Sequence, residues 1–342
     1  MSQPAALGEL VRQYPLSSAW AAPVLFSETA DIHGVSLKLA GLSSEHANGR
    51  SIVGSAVDSR RSPLERSYFE LLERSAVVEA LHQADGDHDV LDLSSECVGT
   101  CSHQRVFPRD LEPEKWRHSL SNGVAAHRNW KRAAERAALE LIERDHILRS
   151  WYGEITPERV SMDGLAPTQL LSLYDFEACA FHGPPYSEFH QAQTVAVFGF
   201  PKRAEAPLLM GCAARLTSNG ALAAAFRECL QRLGFLWREP LPHSEPQFSP
   251  TADFHQEHYL YPPNHPKLRN WLDGGHKLGL LRWSFPTSDA KIRFVDLTPS
   301  ALKGRIFVVR AICDQALPLV FAEGHPWCDA VLPEFMRVHP IA

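Results

Sequence analysis

The chain has 342 residues, 44% of them hydrophobic and 22% charged, which suits a packed core and excludes a disordered or collagen-like polymer. A formal net charge of −6 leaves no basic footprint for nucleic acid. The opening residues, MSQPAALGELVRQYPLSSAW, have no basic flank followed by an apolar run, and no later stretch is apolar for long enough to span a bilayer. The expectation is a cytoplasmic protein without a membrane segment.

In chain order, residues 1–62 read as irregular or strand-like, with an apolar patch at Ala22–Phe26 and alternation over Val35–Leu42. Helical periodicity follows near 63–82. Asp85–Pro113 reads as a loop. Within it, Cys97, Cys101 and His103 form the one suggestive cluster among seven otherwise scattered cysteines. A structural zinc site wants a fourth ligand and a second paired motif, and neither is present, so the cluster reads as loop and the thiols as reduced. A second helix is predicted near 129–152, with Asn129 placed to cap it. Ser172–Phe181, Thr194–Phe200 and Leu208–Leu216 read as strands, and a third helix spans about 219–237. Glu239–Pro266 reads as a loop rich in proline and histidine. Lys291–Leu297 and the apolar run Arg305–Ile312 close the series as strands. The whole, residues 1–342, is expected to form a single compact domain of mixed α/β class, with acidic helices packed on β-sheet.

The informative feature is an internal echo. The first helix carries Glu70-Leu-Leu-Glu73-Arg74 and the second Glu140-Leu-Ile-Glu143-Arg144. A helix turns roughly 100° per residue, so in each copy the two glutamates and the arginine fall on one flank of the apolar stripe. That stripe is Leu64, Tyr68, Leu71, Ser75 and Val78 in the first helix, and Trp130, Ala134, Ala137, Leu141 and Leu148 in the second. The third helix carries Glu228 and Gln231 at the same spacing. One such flank is an ordinary solvated helix face. Repetition in the same register instead suggests that Glu70, Glu73, Glu140 and Glu143 gather around a hard divalent cation, because like charges cannot share a site uncompensated. Arg74 and Arg144 would then hold phosphate or a glutamate. Ahead of the second helix stands Ser121-Asn122-Gly123-Val124-Ala125-Ala126, whose small residues would let backbone N–H groups approach an anion; the plain alternative is a turn. No P-loop or GxGxxG pattern occurs, so a nucleotide site here must be of another kind.

These segments resemble the YcaO family. SNGVAAHRNWKRAAERAALELIERD is similar to the family's SNG-type loop and alanine-rich helix ending in E-x-x-E-R-D. VGSAVDSRRSPLERSYFELLER is similar to its earlier loop and E-x-x-E-R helix, and GCAARLTSNGALAAAFRECLQ to its third segment, with E-x-x-Q. The resemblance implies ATP bound through Mg2+, with Glu70, Glu73, Arg74, Ser121, Asn122, Glu140, Glu143, Arg144, Glu228 and Gln231 at the nucleotide and the four helical glutamates of the two repeats at the metal. It implies activation of a backbone amide in a ribosomally made precursor peptide, through cyclodehydration of Cys, Ser or Thr to thiazoline or oxazoline. Thioamide or amidine formation is the alternative chemistry. The partners implied are the precursor peptide, a leader-binding E1-like or RRE-containing protein and a flavin dehydrogenase; a homodimer is compatible with it.

The chain departs from the family pattern at His127 and Arg132, where a glycine and an acidic residue are common, and at Ala125 and Ala224, where a small hydroxyl and an arginine are. These departures support a rival reading, a subunit that binds peptide or partner without turning over ATP. Azoline-forming relatives end in a proline-rich tail, whereas this chain ends Val-His-Pro-Ile-Ala. His339 is the titratable group there, a catalytic candidate with an ordinary pKa of about 6.5 suited to proton transfer; a frayed terminus is the alternative. A second rival is a metallohydrolase on Asp253, His255, Glu257, His258 and His265, but the segment reads as a solvated loop with nothing to fix ligand geometry.

Overall fold

The computed structural model describes residues 3–82, 86–277, 290–328 and 332–342. The chain groups into two compact units made of interleaved segments: Met1–Pro108, Gly123–Ala138 and Ile292–Ile312 form the first, and Arg109–Asn122, Leu139–Lys291 and Cys313–Ala342 the second. The predicted second helix, observed as Trp130–Trp151, begins in one and ends in the other.

In the first unit, three strands form an antiparallel meander, Val24–Ile32, Val35–Glu45 and Ser51–Asp58. The two-residue turn His33-Gly34 has both residues at positive φ, the twist that suits a tight hairpin. The helix Leu64–Leu81 lies on the third strand, burying Tyr68, Leu71, Ser75 and Val78 as its stripe foretold. It approaches closely because the strand offers Gly54 there: a Cβ at that position would sit 2.2 Å from the Ser67 carbonyl oxygen and 2.5 Å from the Leu71 nitrogen. A second antiparallel sheet has the order Cys97–Ser102, Asp87–Leu91, Arg293–Asp296, Phe307–Ile312, Val124–His127.

Three expectations are corrected in this unit. Gln3–Gln13 is a helix, with its proline in the first turn, where a missing N–H does no harm. Asp85–Pro113 is not a loop. Among its described residues it holds two strands and the helical turn His103–Val106, whose few inward side chains, Val90, Cys101 and Val106, leave a polar composition that hides them. Cys97 and Cys101 therefore sit on a strand, and His103 Nδ1 meets His88 Nε2 at 3.0 Å. The small-residue stretch after Ser121 is likewise no open loop: Val124–His127 pairs with Phe307–Ile312. Asn129 does cap the helix, its Oδ1 accepting from the Arg132 N–H at 3.1 Å.

The second unit is built on the antiparallel sheet Leu209–Arg215, Gln193–Pro201, Tyr174–Phe181, Glu158–Val160. Gln193–Pro201 is buried on both faces. Ala196, Phe198 and Phe200 enter a core around Trp151 and Trp271, and the helix Ser218–Leu236 covers the other side. That helix also rests on a glycine, since a Cβ on Gly211 would lie 2.1 Å from the Ala225 carbonyl oxygen. Inside this unit Asp145 and Arg149 are both fully buried, and every end of their network is met. Arg149 Nε donates to Asp145 at 2.9 Å and its Nη1 to Glu154 at 2.9 Å, while Tyr186 Oη and the Leu317 N–H donate to Asp145 at 2.8 and 2.7 Å.

Glu239–Pro266 is corrected too. Thr251 caps a helix, Ala252–Leu260, and His265–Leu272 forms another. The inner face of the first is Phe254, His255, His258 and Tyr259, and histidine does not register as core in a hydropathy pattern. Burial holds His255 and His258 neutral, each with a pKa lowered to about 4, and among the described residues no group of three or more His, Cys, Asp or Glu could hold a metal ion. This removes the support for both the zinc and the metallohydrolase readings.

Two consequences are measurable. Gly54→Ala and Gly211→Ala should each destabilise the fold by about 3 kcal/mol, since the clash is with helix backbone, whereas Gly8→Ala, which meets only a flexible arginine, should be neutral or stabilising; urea unfolding midpoints compare the three. Buried His255, His276 and His325, all lowered to about 4, bind protons in the unfolded state first. Stability should therefore be full above about pH 6.5 and decline steadily from there toward pH 4. A flat profile across that window would show the rings to be solvated.

Candidate functional site

The residues of the first repeat sit together in the first unit. Glu70 Oε2 accepts from the Ser55 N–H at 2.8 Å, and its Oε1 is 2.7 Å from Arg74 Nη2. Glu73 Oε1 accepts from the Ala126 N–H at 2.7 Å. Ser55 follows Gly54, so the same close approach that seats the helix brings the strand N–H to the carboxylate. Both glutamates are half-buried and Arg74 is exposed.

The second unit repeats the device. Gly211 seats the helix Ser218–Leu236, and the next residue, Cys212, donates its N–H to Glu228 Oε2 at 3.1 Å. Two residues on, the Ala214 N–H donates to Glu143 Oε2 at 3.2 Å. Glu143 is 6% exposed. Its other oxygen, Oε1, lies 3.1 Å from Arg144 Nη1 but out of line for a hydrogen bond, and so is buried without one. Burial pushes the Glu143 pKa up, Arg144 pulls it down, Glu228 pushes it up again, and the balance lies above the usual value. For Arg144, burial opposes the charge, and Glu143, Glu228 and Glu140 together more than restore it. Glu140, Glu143, Arg144 and Glu228 thus share one electrostatic neighbourhood.

Such a carboxylate is short of one partner. Its strand N–H and neighbouring arginine hold it in place, yet among the described residues Oε1 makes no hydrogen bond while a second carboxylate raises the local negative potential. A hard cation answers both deficits, and a magnesium ion at a nucleotide usually takes one or two protein carboxylates, with phosphate and water completing its shell. The donor set therefore fits the ion.

The remaining candidates divide. Asn122 is buried, with Oδ1 lacking a hydrogen bond, while Ser121 is exposed; Gln231 is half-buried on the helix that carries Glu228. His339 is neither frayed nor near neutrality. Its ring is fully buried against His255 with centroids 4.2 Å apart, and Nε2 donates to the Val320 carbonyl at 2.8 Å. Burial drives its pKa well below 6.5, with His255, His325 and Arg144 adding to that. The Tyr259 hydroxyl also donates to the Val338 carbonyl, and the His255 ring to that of His339. The terminal segment is thus core. Sequence reasoning missed Arg215, whose charge acts on Glu143, and the strand N–H groups, which every residue but proline possesses and which carry no signal beyond the two glycines.

Among the described residues, no helix is long and apolar enough to cross a membrane. A family model described as YcaO cyclodehydratase, ATP- and Mg2+-binding, matches residues 98–317, a span that includes Glu140, Glu143 and Glu228. Among solved structures the chain is similar to YcaO from Methanopyrus kandleri bound with AMPPCP and Mg2+, at 19% identity and TM-score 0.56, covering 92% of this chain and 91% of that one. It is similar to a chain of the E. coli microcin synthetase McbBCD complex with pro-MccB17 bound, at 12% identity and TM-score 0.58, over 96% and 98%. It is also similar to a heterocyclase in complex with substrate and cofactor, at 12% identity and TM-score 0.59, over 91% of this chain and 52% of that one. These likenesses are of fold. No curated protein sequence matches. With nearly two thirds of its length matched, this chain belongs to the YcaO cyclodehydratase family, whose cofactors are ATP and Mg2+.

Proposed function

We propose that the chain uses ATP and Mg2+ to modify a backbone amide of a ribosomally made precursor peptide, by cyclodehydration of Cys, Ser or Thr to thiazoline or oxazoline. The observation that carries it is Glu143, a buried carboxylate held by the Ala214 N–H and flanked by Arg144, with one oxygen left unbonded. Glu70, Glu73, Glu140 and Glu143 are assigned as the magnesium ligands. Glu228, Gln231, Arg74, Arg144, Ser121 and Asn122 are assigned to the nucleotide. Magnesium-bound ATP supplies the phosphoryl group that makes an amide oxygen a leaving group once a side-chain thiol or hydroxyl has added to that carbonyl, with net loss of water. The protein's share is positioning and charge. The strand N–H groups fix the carboxylates, and Arg144 lowers the Glu143 pKa against the rise that burial imposes.

The fold neighbour containing pro-MccB17 supports a peptide substrate and an assembly with other proteins. The leader-binding protein would be E1-like or RRE-containing, with a flavin dehydrogenase as a further component. Ala125 and Ala224 are buried and offer no polar atom, which favours a second reading, a subunit that binds without turnover.

Calorimetry with AMPPCP separates these from a purely structural role. Glu143→Gln and Glu73→Gln should each abolish magnesium-dependent binding with the circular dichroism spectrum unchanged, and EDTA should do the same to the unaltered protein. Arg144→Lys, which keeps charge and loses the planar fork, should weaken binding about tenfold or more. Unaltered affinity in both Gln variants would refute the site.

The chemistry is tested by incubating the protein, its partner, ATP and the cognate peptide while following mass and ADP. One water lost per ADP formed is the expected result. Oxygen-to-sulfur exchange would move the assignment to thioamide formation, water loss surviving replacement of every core Cys, Ser and Thr would move it to amidine formation, and binding without ADP release would establish the second reading.

A further inference from the structure

The two arginines of the repeats are committed to carboxylates. Arg74 is bonded to Glu70, and Arg144, its side chain 16% exposed, lies along Glu143. In the second unit a third guanidinium, that of Arg215, also acts on Glu143. Arg215 is the first exposed residue after six consecutive buried ones on the strand Leu209–Arg215. Its Nη1 donates to the Ala214 carbonyl at 2.6 Å, and it is the Ala214 N–H that holds Glu143. One peptide residue therefore ties this guanidinium and that carboxylate to a common anchor.

The stem of Arg215 runs beside Gly220: a Cβ there would come 3.5 Å from Arg215 Cβ and 3.8 Å from its Cγ. Gly220 belongs to the first turn of the helix Ser218–Leu236, a turn with no acidic side chain, capped by Thr217. That places a fixed cation beside the positive end of a 19-residue helix, an arrangement unfavourable by itself and favourable to an anion. The other half of the requirement is Glu143 Oε1, buried and without a hydrogen bond on the same peptide anchor. The tripeptide opening this helix, Ser218-Asn219-Gly220, also repeats Ser121-Asn122-Gly123.

We propose that Arg215 is a further catalytic residue, contacting the terminal phosphate of the nucleotide whose magnesium Glu143 holds. The inference rests on the nucleotide-binding reading above. It supplies from a strand end a cation for the charge that distinguishes a triphosphate from a diphosphate.

Magnesium-dependent binding of AMPPCP and of ADP, measured by calorimetry on the unaltered chain, Arg215→Ala and Arg215→Lys, tests it. Loss of a charge-assisted contact should weaken AMPPCP binding to Arg215→Ala about tenfold to a hundredfold and leave ADP affinity within about twofold. Arg215→Lys should recover part of the loss. Equal AMPPCP affinity in Arg215→Ala and the unaltered chain, or an equal loss for both nucleotides, would overturn the contact while leaving the nucleotide site standing. An unaltered chain that binds neither nucleotide would overturn this inference together with the reading on which it rests.

Discussion

A carboxylate can serve a metal only while ionised, and a buried one stays ionised only if donors already in the protein stabilise its charge. Here those donors are backbone N–H groups on strands, and they can reach helix side chains because the strand carries a glycine at the point of contact. Gly54 brings Ser55 to Glu70, and Gly211 brings Cys212 to Glu228 and, one step further along the strand, Ala214 to Glu143. Any Cβ at either glycine would hold the helix off and lengthen the bond. The packing of each unit and the poise of its acids are thus one constraint, and the remaining charges, including Arg144, are arranged around it.

Within a single stretch of helix, acidic and basic residues take opposite parts. Glu143 and Arg144 are followed by Asp145, and four residues on by Arg149, so composition does not separate them. Surroundings do. Asp145 receives Arg149, Tyr186 and the Leu317 N–H, and Arg149 reaches Glu154 as well, so the network is closed and structural. Glu143 keeps an oxygen, ion-paired to Arg144, that has no hydrogen bond among the described residues. A buried ion pair with all its valences met adds little beyond specificity of packing, whereas an incomplete one stores affinity for whatever completes it. The histidines show the same divide in reverse. Those of the Ala252–Leu260 helix and His339 look like ligands or bases by residue type, yet burial keeps His255, His258 and His339 uncharged, and carbonyl oxygens of the terminal segment and the neighbouring strand bind His255 and His339.

The sequence by itself determined the three helices, Leu64–Leu81, Trp130–Trp151 and Ser218–Leu236, each within a residue of its expected ends, and the faces on which Glu70, Glu73, Glu140, Glu143 and Glu228 stand. Period and capping are local properties, written into residues a turn apart, and they survive any tertiary arrangement. The apolar strands Gln193–Pro201 and Phe307–Ile312 were legible for the same reason. Tertiary structure alone decided which oxygen of each glutamate is held and which is left, that Arg215 stands beside Glu143, that Asp87–Leu91 and Cys97–Ser102 pair as strands, and that the last residues are core. Each of these depends on a partner distant in sequence: Glu143 and Ala214 are 71 residues apart, and His255 and His339 are 84 apart. Backbone N–H and carbonyl groups are the same in nearly every residue, so no side-chain pattern records which of them will meet a given carboxylate or ring.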